Sequence, residues 1–83
     1  MKTKKEFYKH MKRSQYDMFC KMISSLSKAK VSEYTFVILK RPNEVFQLDQ
    51  QIGGITTTLK VGTHYECVEA AKDCIQMMYK ISD

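Results

Sequence analysis

The chain has no Trp, a single Pro, three Gly and three Cys among its 83 residues. So little Gly and Pro excludes collagen-like and low-complexity architectures, and 43% hydrophobic against 28% charged residues is the balance of a folded globular protein. Long apolar runs are missing as well. The longest lies within Tyr34 to Leu39, far short of the roughly 20 residues a membrane-spanning helix needs. No apolar stretch follows the charges of MKTKKEFYKHMKR, so the expectation is a chain without a signal peptide, located in the cytoplasm and with no membrane partner. The Cys count is odd, and Cys67 and Cys74 stand about 10.5 Å apart on a helix that rises 1.5 Å per residue, too far for a disulfide. Reduced thiols are expected.

Chemical motifs are equally scarce. His10 and His64 have no nucleophile and orienting group patterned around them, as covalent catalysis requires. Gly53-Gly54 lacks the flanking Gly and Lys of a phosphate-binding loop. Cys20, His64, Cys67 and Cys74 lack the paired spacings of a zinc site, and a buried Cys commonly behaves as a small apolar residue. These gaps lead to the expectation of a non-enzyme with no cofactor and no metal.

What is present is polarised charge. Residues 1–30 carry nine bases against Glu6 and Asp17, a net of +7, whereas residues 31–83 carry five bases against seven acids, a net of −2; together they give the chain's +5. Clustered positive potential steers polyanions and acidic protein surfaces. Only Arg13 and Arg41 among the bases are Arg, so point-charge attraction is favoured over bidentate recognition.

A chain of this length has room for one domain, residues 1–83. Thr3 and Glu6 have capping-box spacing, predicting a helix from Lys4 to about Ala29 with Phe7, Tyr8, Met11, Met18, Phe19, Met22 and Leu26 on its apolar side; Ser14 to Asp17 offers a second start that would split it. Tyr34–Leu39 is rich in β-branched and aromatic residues and stops at Arg41-Pro42-Asn43-Glu44, a strand and a turn. Val45–Ile52 alternates apolar and polar residues up to Gly53-Gly54, a tight two-residue loop, and Ile55–Val61 completes a meander. Thr63 and Glu66 repeat the capping box ahead of a helix over His64–Ile81. The expected fold is α+β, a two-layer helix, three-stranded antiparallel meander and helix (αβββα).

Two surfaces are candidate partner sites. The first is a basic flank of the first helix, Lys5, Lys9, Lys12 and Arg13 with Tyr16 among them, where clustered charge and an aromatic suit a polyanion or an acidic protein. The second is the outer sheet face. A two-residue loop at Pro42-Asn43 pairs Leu39 with Phe46 and leaves Tyr34, Phe36, Ile38 and Val45 away from the helices, whereas a one-residue slip exposes Thr35, Val37 and Leu39. Helix and loop, a second copy of the chain or a foreign partner could cover such apolar residues. The six Met, three of them on one helical stripe at Met11, Met18 and Met22, suit core filling or an adaptable surface.

Arg41-Pro42-Asn43, Val45 to Leu48, Gly53-Gly54 and Glu69-Ala70-Ala71-Lys72, set in the order helix, meander, helix, resemble double-stranded RNA-binding domains over about half the chain. That family's phosphate-binding Lys cluster at the start of the last helix is replaced here by Thr63-His64-Tyr65-Glu66, and its hairpin-loop His by Asn43, so the chain is not assigned to it. The functional expectation is a small binding protein, a regulator or inhibitor of phage or mobile-element type, that docks on a host protein with an acidic surface. The alternative is a nucleic-acid-binding module using the basic first helix.

Overall fold

The computed structural model describes residues 9–83. The expected helix start at Lys4, its Thr3 and Glu6 pair, and Lys5, Phe7 and Tyr8 lie outside the described residues. Over those described, the chain is mixed α and β, with two helices and six strands in two sheets. The order is β1 (Lys9–Lys12), α1 (Arg13–Leu26), β2 (Lys28–Val31), β3 (Tyr34–Arg41), a short 3₁₀ turn (Pro42–Glu44), β4 (Val45–Ile52), β5 (Ile55–Gly62), α2 (His64–Met78) and β6 (Tyr79–Ser82). Strands β2-β3-β4-β5 form an antiparallel sheet in that order, and β1 pairs in parallel with β6 in a separate two-stranded sheet. The αβββα expectation is therefore corrected: the sheet has a fourth strand, and Lys9–Lys12, within the expected first helix, and Tyr79–Ser82, at the end of the expected last one, are strands.

Each correction has a physical cause remote in sequence. Residues Lys9–Lys12 are extended because Tyr79–Ser82 supplies a pairing partner in register, Met11 opposite Ile81. Met11 is 5% exposed, so a residue that fits a helical stripe fits a two-residue strand alternation equally well. Helix α1 ends at Leu26 because Ser27 takes a left-handed conformation (φ 58°); its hydroxyl lies 3.0 Å from His64 Nε2 and its carbonyl accepts the Ile38 N–H at 2.8 Å. The chain then enters β2, with Ala29 opposite Phe36.

Elsewhere local chemistry decides. Thr63 Oγ1 accepts the Glu66 N–H at 3.0 Å and Glu66 Oε1 accepts the Thr63 N–H at 2.9 Å, the reciprocal cap that starts α2. Gly53 and Gly54 both have positive φ (55° and 83°), as a tight hairpin between Ile52 and Ile55 requires. Both helices lie on one face of the four-stranded sheet, α1 over β2 and α2 over β4 and β5. Between them and the sheet are Phe19, Ile23, Phe36, Leu48, Cys67, Ala71 and Ile75, none more than 3% exposed. Phe19 meets Phe36 edge to face with centroids 5.6 Å apart. Burying each large apolar side chain contributes about 1.5–3 kcal/mol relative to leaving it in water. No described helix is long and apolar enough to cross a membrane.

Candidate functional site: the open face of the four-stranded sheet

The residues that reach the uncovered face follow from one turn. Asn43 and Glu44 both take left-handed conformations (φ 67° and 62°), so the β3–β4 loop holds three residues, and Arg41 pairs with Val45, Lys40 with Phe46 and Leu39 with Gln47. A two-residue loop would have paired Leu39 with Phe46; the extra residue moves every β3 side chain to the other face. Phe36 and Ile38, expected outside, are in the core at 0% and 6% exposure. Tyr34 packs against the same core, and of the expected outer set only Val45, opposite Arg41, remains on the open side.

The open face therefore consists of cross-strand rows. Lys28, Val37, Asp49 and Thr58 form one row, and Leu39, Gln47 and Val61 the next. A register shift beside Leu48 and Asp49 leaves Leu59 as an extra residue on β5, a bulge that bends this edge. Leu39, Leu59 and Val61 are 46%, 37% and 53% exposed. Among them runs a polar chain: an Arg41 guanidinium N–H donates to Gln47 Oε1, Gln47 Nε2 donates to Asp49 Oδ1 (2.8 Å), and Thr58 Oγ1 also donates to Asp49 Oδ1 (2.9 Å). These donors hold Asp49 at 6% exposure on a face that no described element covers. The patch thus sets exposed apolar side chains beside a braced polar chain, with Lys28, Lys30 and Arg41 around it.

The basic flank expected on the first helix takes a different form. Lys9 is on β1, with its ammonium about 6 Å from the Tyr34 and Tyr79 ring centroids and 3.9 Å from Glu33 Oε1. Strand alternation turns the Lys12 side chain to the opposite side of β1, while its backbone N–H donates to Gln15 Oε1 at the start of α1. Arg13 lies over the Tyr16 ring and donates to Asp83 at 3.3 Å. Tyr16, expected on the solvent side, is 8% exposed and its hydroxyl accepts a hydrogen bond from Gln76 at 2.6 Å. Burial pushes its phenol pKa up, against the opposing hydrogen bond from Gln76. The described bases of this group do not share one helical flank, and Tyr16 is unavailable for stacking. Lys5 lies outside the described residues.

The Cys67 and Cys74 thiols and His64 have structural partners. His64 stacks edge to face on Phe46 and meets Ser27, while burial raises the pKa of both Cys67 and Cys74. Among the described residues, no group of three or more His, Cys, Asp or Glu converges as metal ligands would. Comparison with protein-family models, with curated proteins and with solved structures finds no match to this chain. Sequence reasoning missed Leu59, Val61, Gln47 and Thr58 as members of the site. The signal for Val37 and Leu39 was the alternative register, and Asn43 and Glu44 in the turn selected it.

Proposed function

We infer that this chain is a non-enzymatic binding module that docks on a protein partner through the open sheet face, acting on that partner as a regulator or inhibitor. The observation that carries this reading is the pairing of exposed Leu39 and Val61 across Gln47, on a sheet of which, among the described residues, only the other face is covered by helices. An antiparallel sheet with one solvated face is ordinarily polar there. The bases Lys28, Lys30 and Arg41 around the patch favour a partner with acidic residues ringing an apolar contact. The same bases oppose a face-to-face pairing of two copies by like-charge repulsion.

Protein is favoured over nucleic acid because the face offers no stacking platform. Among the described aromatics only Tyr65 is exposed, and it lies on α2; Tyr16, Phe19, Tyr34, Phe36, Phe46 and Tyr79 are buried or half-buried among the helices and the small sheet. Single-stranded nucleic acids are held chiefly by such platforms together with basic grooves. The test is affinity capture from a host lysate at physiological salt, with the wild type and a Leu39→Lys/Val61→Lys double variant side by side. A stoichiometric partner retained by the first and lost by the second is the expected result. Equal retention by both would refute docking at this face, as would capture of nucleic acid alone.

A further inference from the structure

We propose that the outer edge of β2, with the groove beside it that Met11, Met18 and Met22 help to line, takes an extended peptide of alternating apolar and acidic residues as a fifth strand. Strand β2 is the outermost of its sheet, and among the described residues only β3 pairs with it. Because Ser27 O accepts from Ile38 N–H, alternation turns the backbone groups of Ala29 and Val31 toward β3 and those of Lys28 and Lys30 outward. Those outward groups are the template for strand addition. On the helical side of this edge lies a groove of about 480 Å³ whose lining includes Met11, Met18, Met22 and Val31 together with the polar Ser14 and Gln15. Met18 is 58% exposed there, and flexible thioether side chains fit varied apolar groups.

The two sides of the edge differ, and that difference specifies the occupant. Ala29 and Val31 share the helical side with Phe36 and Tyr34, so every second side chain of an added strand enters the groove. The intervening side chains emerge on the open face beside Lys28 and Lys30, where Asp or Glu is matched in charge. A second copy is disfavoured, since antiparallel pairing of two β2 edges sets lysines against lysines. At the opposite edge of the sheet, β5 has the Leu59 bulge, which interrupts pairing.

The probe is a short fluorescein-labelled peptide alternating leucine with glutamate, titrated into the full chain by anisotropy. Two comparison peptides are used, one of equal composition with leucines and glutamates in separate blocks and one with lysine in place of glutamate. The alternating acidic peptide is expected to bind at least roughly tenfold tighter than either. Met18→Glu and the Lys28→Glu/Lys30→Glu pair should each weaken it by a similar factor, with circular dichroism confirming the fold. Amide exchange at Lys28 and Lys30 should slow on binding. Leu39→Lys should leave the titration unchanged, which separates this edge from the open-face reading. Equal binding of the block peptide, or unprotected Lys28 and Lys30 amides, would overturn strand addition. Light scattering that shows a dimer dissolved by Met18→Glu would assign the edge to a second copy instead.

Discussion

Phe36 and Val37 are neighbours on one strand, yet the first is sealed against Phe19 while the second faces a side of the sheet that no described element covers. Strand β3 supplies apolar residues to both faces, and what separates them is whether a helix lies above. On the covered face, Phe36, Ile38 and Leu48 are locked by packing. On the open face, Leu39 and Val61 flank Gln47, which belongs to a hydrogen-bonded chain from Arg41 to Asp49. Rigid backing with an exposed, braced front is a sound platform for docking, because little side-chain order is lost on binding.

Substitutions on the two faces should differ in size and in kind. Phe36→Ala removes a fully buried ring and should cost about 3–5 kcal/mol in denaturant unfolding. Asp49→Ala strips the acceptor shared by Gln47 and Thr58 and should cost about 1–3 kcal/mol, a value near zero meaning that the open face is not braced. Tyr16 sharpens the comparison through pH. Its folded pKa is raised, chiefly by burial, so its contribution is fully present below its ordinary value of 10.0 and is lost as pH rises through the folded value. Tyr16→Phe should flatten that alkaline loss of stability, and an unchanged alkaline profile would place the phenol in water. The smallest effect is Leu39→Lys, expected within about 0.5 kcal/mol of wild type in stability and, on the proposed docking face, expected to abolish capture of a partner.

The elements that could be read from sequence are those whose determinants are local. The Thr63 and Glu66 cap, the Gly53-Gly54 hairpin and the limits of Val45–Ile52 all depend on residues a few positions apart. Strands β1 and β2 could not be read this way. The partner of Lys9–Lys12 is 70 residues away, and β2 was absorbed into the preceding helix because Ser27 depends on His64 and Ile38. The identity of the open face turns on two left-handed residues in the β3–β4 loop, Asn43 and Glu44, the second in a conformation where Glu is uncommon. The apolar content of β3 was legible, its direction was not, and the site residues changed accordingly from Phe36 and Ile38 to Val37 and Leu39.

The most direct test of docking at the open face is site-specific photocrosslinking in a host lysate. A benzophenone amino acid replaces Leu39 in one chain and Met77, 76% exposed on α2, in another. A single discrete protein adduct from position 39, with none from position 77, is the predicted result. Adducts of equal yield at both positions, or at 77 alone, would contradict the assignment of this face as the contact surface.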